Sequence, residues 1–99
     1  MQRINVMFGN DILDVDILIV PDHVADNIDD ITQSFFEWMS NKGNSHEYWI
    51  KNSRGECVLA LGTDAFLWWL NNHYITTKEF AHMHEQHTRF CAEYQTAEF

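Results

Sequence analysis

The stretch Arg3-Ile4-Asn5-Val6-Met7-Phe8-Gly9-Asn10-Asp11-Ile12-Leu13-Asp14-Val15-Asp16-Ile17-Leu18-Ile19-Val20 decides the fold class. Its first part alternates, with Ile4, Val6 and Phe8 on one side and Arg3, Asn5 and Met7 on the other. The second part sets Leu13, Val15, Ile17 and Ile19 against Ile12, Asp14, Asp16, Leu18 and Val20. Period-two runs separated by the turn signal Gly9-Asn10-Asp11 predict a β-hairpin. A two-residue loop at Gly9-Asn10 pairs Ile4 with Val15 and Val6 with Leu13 on the buried face. It also sets Arg3 opposite Asp16 and Asn5 opposite Asp14 outside. A slip of one residue would bury the aspartates, so this register is the expected one.

The period changes after Pro21, the only proline. From Asp22 to Ser40, at ~100° per residue, Val24, Ile28, Ile31, Phe35, Trp38 and Met39 share one helical face. Asp22, Asp26, Asp29, Asp30, Gln33 and Glu37 share the opposite one. Asn41-Lys42-Gly43 ends this helix. A second hairpin is expected from His46–Lys51 and Glu56–Leu61 around Asn52-Ser53-Arg54-Gly55, with Tyr48 and Ile50 on the face of Cys57, Leu59 and Leu61. Thr63 caps a helix from Asp64 to about Tyr74. The capping box Thr76-x-x-Glu79 opens a last helix to about Gln95, its buried stripe being Phe80, Met83, His87, Phe90, Cys91 and Tyr94. The order ββαββαα predicts a single α+β domain over residues 1–99. Its antiparallel sheet of about four strands has helices packed on one face.

Composition narrows the function classes. With 45% hydrophobic residues among 99, the chain builds one core and is not a disordered segment. A net charge of −9 repels nucleic acid and anionic membranes at long range and attracts basic proteins. Two cysteines are too few for a disulfide scaffold; a single bridge between them is the lesser alternative, and Cys57 and Cys91 are expected as partly buried reduced thiols. Met1 to Asn5 reads as strand without a secretory apolar region, and the nearly apolar run Ile17–Val20 is too short to span a bilayer. The expected location is the cytoplasm of a bacterial host.

The charge is unevenly laid out. From Ile4 to Asn41 stand eight acids, Asp11, Asp14, Asp16, Asp22, Asp26, Asp29, Asp30 and Glu37, and no Lys or Arg. On the helix they form a strip about 22 Å long, from the ~1.5 Å rise per residue. Asp14 and Asp16 on the neighbouring hairpin widen it. A solvated helix face usually interleaves Lys with Glu at i,i+4. Here Asp22/Asp26 and Asp26/Asp30 are like-charged pairs, each costing a few tenths of a kcal/mol. The bland account is a solubilising surface. The functional account is a contact strip for Lys and Arg that normally hold phosphate, because guanidinium grips carboxylate and phosphate alike.

Other chemistry is thinner. His84, His87 and Cys91 project within about 60° of one another on a helix and could seat zinc if His73 or His46 approached. Yet His84-Glu85-Gln86-His87 is one residue short of the His-Glu-x-x-His spacing, and helix faces often carry scattered His. No metal or other cofactor is therefore expected. Trp68 falls about 100° from Trp69 and stands outside the stripe of Phe66, Trp69, Leu70 and His73. Trp49 sits on the hairpin face opposite Ile50. Either Trp could anchor an interface, with a partner or in a homodimer, or simply fill the edge of a small core. No serine lies in a Gly-x-Ser-x-Gly elbow, Cys57 is mid-strand, and there is no glycine-rich phosphate loop, so no enzymatic activity is expected.

In composition and charge layout the chain resembles small phage-encoded inhibitors of host defence, such as anti-CRISPR and anti-restriction proteins that imitate DNA. Bacterial toxin-immunity proteins share the style. The resemblance implies a non-enzymatic inhibitor that blocks a basic, nucleic-acid-binding surface of another protein and does not itself bind nucleic acid. It carries over no residue roles. Asp22, Asp26, Asp29, Asp30 and Glu37 are the expected contacts, with Asp14, Asp16 and Trp68 beside them. A structural or oligomeric protein using Trp49 and Trp68 is the competing expectation.

Overall fold

The alternating residues at the start of the chain form an antiparallel hairpin, β1 (Gln2–Met7) and β2 (Val15–Val20), in the computed structural model, which describes Met1–Phe99. Two helices follow, α1 (Asp22–Asp26) and α2 (Ile28–Ser40). Next come a small hairpin of β3 (Trp49–Lys51) and β4 (Cys57–Leu59), and a third helix, α3 (Thr63–Trp69). A wider π-type turn prolongs α3 through Leu70–Tyr74 and closes with Ile75 N–H donating to the Leu70 carbonyl at 2.7 Å. Two strands end the chain, β5 (His82–Thr88) and β6 (Gln95–Glu98). The α+β class holds, but the order and sheet membership differ from ββαββαα.

The main sheet has the order β5-β2-β1-β6, with β1 and β6 parallel and the other pairs antiparallel. Strands β3 and β4 form a separate two-stranded sheet. The expected C-terminal helix does not form; its residues supply β5, one edge of the main sheet, and the irregular segment that leads into β6, the other edge. The Asn71 side chain is one physical reason. Its amide donates to the Ala81 carbonyl and accepts from the Ala81 N–H, both at 2.8 Å, so it acts as a surrogate strand neighbour and holds the entry to β5 extended. Phe80, expected in the buried stripe, is 57% exposed, whereas Ala81 beside it is buried.

The register also differs. Ile4 faces Leu18, Asn5 faces Ile17 and Val6 faces Asp16, three residues away from the expected pairing. The connection is a longer loop, shaped by Asp11, whose side chain accepts from Leu13 N–H at 2.9 Å and whose carbonyl accepts from Asp14 N–H at 3.2 Å. An odd shift exchanges the faces of β2. Leu18 and Val20, expected outside, join Ile4 and Val6 against the helices, while Val15 and Ile17 are buried on the other face. Leu13, expected inside, is exposed.

The helix-side core gathers Ile4, Val6, Leu18 and Val20 from the sheet, Ile28, Ile31, Phe35 and Met39 from α2, and Phe66 and Trp69 from α3. Phe35 is central, with its ring edge-on to Phe66 at 5.2 Å, Trp69 at 5.6 Å and Phe99 at 5.3 Å. Such a fully buried ring contributes about 2–3 kcal/mol by area alone. The apolar positions expected for the first helix are the ones that pack here. The helix itself is broken: Asn27, at φ −123° and ψ 31°, leaves helical geometry and separates α1 from α2.

The second hairpin forms around the expected turn. The Asn52 side chain accepts from Arg54 N–H at 2.9 Å and Glu56 N–H at 3.0 Å, and Gly55 takes the left-handed φ of 78° that the turn needs. Its register pairs Ile50 with Val58 and Trp49 with Leu59, so Ile50 lies opposite Cys57 and Leu59 in face, contrary to expectation. Both thiols are free, with Cys57 exposed and Cys91 half-buried in the loop before β6.

Candidate partner-binding surface

Helix α2 presents its outer side to solvent, with Asp29, Asp30, Gln33, Phe36 and Glu37 all exposed. Asp29 and Asp30 fall in its first turn, where the positive end of the helix dipole favours carboxylates. Because Asn27 breaks the helix, Asp26 and Asp30 are not an i,i+4 pair of one regular helix. Instead Asp26, Asp29 and Asp30 border one shallow depression of about 280 Å³ between α1 and α2, with Gln95 of β6 on its far side. Asp22, at the start of α1, accepts an ion pair from the Met1 amino group at 3.0 Å, which holds its carboxyl below the usual range. The expected strip is thus two short acidic segments separated by the break at Asn27 rather than one continuous helical ridge.

The remaining ion pairs, His87–Asp14 and His84–Glu85, use histidines, so no Lys or Arg neutralises any carboxylate of the chain. All six Lys and Arg are exposed.

Asp14 and Asp16 are differently employed. The His87 ring Nδ1 lies 2.6 Å from Asp14 Oδ1, and the His87 N–H donates to Asp16 Oδ1 at 3.1 Å. The Asp14 hydrogen bond and charge, with a smaller contribution from Asp16, raise the imidazole's titration above its ordinary value. His87 itself sits at φ 52°, a left-handed conformation uncommon for a residue with a side chain. These two aspartates therefore anchor the end of β5 and are not free contacts.

His84 and His87 lie on β5, and Cys91 in the following loop, so the helical spacing that suggested a metal site is gone. No three His, Cys, Asp or Glu side chains are arranged to hold an ion. Cys91 is occupied structurally, its N–H donating to Asn5 Oδ1 at 2.9 Å and its carbonyl accepting from Asn5 Nδ2 at 2.8 Å.

On one flank of α2 the rings collect. Trp38 lies 4.2 Å from His73 and 6.0 Å from Trp68, and His46 stacks on Trp49 at 5.5 Å. Tyr48 packs on Trp68 at 5.8 Å, and burial, with Asp64 and Glu47 near, pushes its hydroxyl up. Trp68 and Trp49 are half-buried in this cluster, and the Trp49 indole N–H donates to the Asn44 carbonyl at 3.1 Å. Their rings are largely spent within the molecule. Sequence reasoning placed Trp68 among the contacts because one helical wheel could not reveal Trp38 and Tyr48 beside it.

On the other flank an apolar groove of about 420 Å³ opens, walled by Phe8, Phe36, Leu61 and Phe99. Phe8 and Phe99 stack at 4.2 Å with 7° between their planes. Sequence reading missed this groove because its walls come from four separated segments. The exposed position of Phe36 on the helix was its only local signal. No protein family model, curated protein or solved structure matches the chain.

Proposed function

We propose that the chain is a non-enzymatic acidic binding protein that occupies a basic, nucleic-acid-binding surface of another protein, in the manner of phage-encoded inhibitors of bacterial DNA-targeting systems. The contact acids are Asp26, Asp29, Asp30 and Glu37, with Asp22 at the margin. What supports this reading above all is that these carboxylates stand exposed with no Lys or Arg paired to them. Carboxylates left without internal counter-charges keep their full attraction for external ones, and a protein of net charge −9 steers a cationic partner from a distance. Arginines that fork onto phosphate accept carboxylate with the same geometry.

The test is capture from lysate of a bacterial host at low and high salt, using the wild type and the variant Asp26→Lys with Asp30→Lys. The wild type is expected to retain a basic protein that high salt releases. The folded reversal variant is expected to lose at least about tenfold in affinity, through slower association and faster release. Equal affinity of the two proteins, with the variant's fold verified by circular dichroism, overturns the reading.

A further inference from the structure

We infer that the groove beside α2 seats one large apolar side chain of a basic partner segment, so that the partner is recognised by an apolar anchor flanked by Lys or Arg. This rests on the acidic-surface reading above and specifies its partner. Phe8, Phe36 and Phe99 are 37%, 56% and 37% exposed, yet they converge on one groove rather than being scattered singly. Isolated exposed rings need no explanation, whereas several lining one concavity mark a binding site. Phe99 is wedged against Phe35 at 5.3 Å and Phe66 at 5.0 Å, so this wall of the groove is seated on the core and preformed.

The rim decides the occupant. It is formed by Thr32, Gln33 and Glu98, and no Lys or Arg lines it. The Gln33 side chain donates to Glu37 Oε1 at 3.1 Å, which holds that carboxylate against the rim. Asp29 stands one helical turn above, its carbonyl accepting from the Thr32 hydroxyl at 2.9 Å. An apolar side chain entering the groove therefore brings its neighbours within reach of Glu37, Glu98 and Asp29. A second copy of this chain, itself at −9, would place like charges together there. A basic segment relieves them. The groove and the acids thus divide the work expected of a small interface, with a desolvated aromatic centre and a charged rim.

The experiment uses three synthetic eleven-residue peptides: Lys/Arg-rich with a central Trp, the same with a central Ser, and an uncharged one with a central Trp. Binding to the full chain is followed at low salt by fluorescence anisotropy and by amide chemical-shift mapping. The basic Trp peptide is expected to bind about tenfold more tightly than the basic Ser peptide. Only the Trp peptide should shift Phe36, Leu61 and Phe99. Phe36→Ala is expected to abolish that tenfold advantage while leaving the Ser peptide's affinity unchanged. Equal binding of the two basic peptides overturns the groove but leaves the acidic surface standing. Binding of the uncharged Trp peptide as tight as the basic one overturns the charged rim. Failure of both basic peptides to bind overturns the inference together with the reading beneath it. A homodimer in light scattering that Phe36→Ala dissolves assigns the groove to a second copy and overturns the inference alone.

Discussion

The two faces of the four-stranded sheet are closed by opposite means. One is sealed by helices: Ile4, Val6, Leu18 and Val20 meet Val24, Ile28, Ile31 and Phe35 in a continuous apolar layer. The other is covered by the irregular segment between β5 and β6, and what fastens it there is polar. Asn5 is completely buried at the centre of that face. Its side-chain amide donates to the carbonyls of Cys91 and Tyr94 at 2.8 and 3.4 Å and to the Thr96 hydroxyl at 3.2 Å, and its oxygen accepts from Cys91 N–H. Apolar burial is non-directional and tolerates small displacement, whereas a buried amide must have its partners in place. The helix side should therefore set global stability, and the loop side should set whether β6 and the segment before it are ordered.

The largest effect expected is on the helix side. Phe35→Ala removes a wholly buried ring touching Phe66, Trp69 and Phe99, and should cost about 3–5 kcal/mol by urea denaturation. That approaches the whole stability of a small domain, so the variant should be partly unfolded in water. A loss below about 1 kcal/mol would show that the helix layer is not the main source of stability.

Next is Asn5→Ala. It leaves the Cys91 N–H and the Tyr94 carbonyl without their partner and the Cys91 carbonyl with only the Tyr94 N–H at 3.2 Å, and should cost about 2–4 kcal/mol. Its signature should be local. Hydrogen exchange should accelerate at β6 and the preceding segment before it changes in α2. Uniform acceleration would mean that the two faces are one cooperative layer and would erase the contrast. Thr96→Val probes the same clasp more gently. It removes a single 3.2 Å acceptor while preserving shape, and about 1 kcal/mol should be lost.

The same contrast explains what could be read in the sequence. The helix-side contribution of Ile28, Ile31, Phe35 and Met39 followed from their spacing, because a helix repeats its burial pattern regularly. The turn at Asn52–Gly55 was legible because its residues are specific to that geometry. Strand β5 was not. Between its pairings Thr88–Val15, Glu85–Ile17 and Met83–Leu18, it carries extra residues that β2 lacks, so its alternation is broken twice. Those bulges also twist an open sheet edge away from strand addition. The register of the first hairpin was misjudged because alternation on β2 is nearly as apolar in either phase. Ile17 and Leu18 are both buried, on opposite faces. The acids of the candidate surface were legible one by one. Their break at Asn27 and the neighbouring groove were not, since both arise from contacts between distant segments.

The smallest effect expected concerns the β5 edge of the sheet, where His87 is tied to Asp14 and Asp16. The folded protein holds the His87 proton more tightly than the unfolded chain, whose imidazole titrates near 6.5. The stabilisation is therefore fully present below about pH 6.5 and disappears as pH rises through the raised folded value. Because the pair is open to solvent, salt should weaken it. Amide protection at His87 and Thr88 should fall between pH 6 and pH 8.5 at low ionic strength, after correction for intrinsic exchange. Asp14→Asn should flatten that dependence, since the neutral amide keeps shape but not charge. Helix α2 and its buried Phe35 should show no corresponding change. If protection in the Asp14→Asn variant still follows pH as in the wild type, β5 is anchored at this end by its backbone pairing with β2, and the polar fastening of the sheet reduces to Asn5.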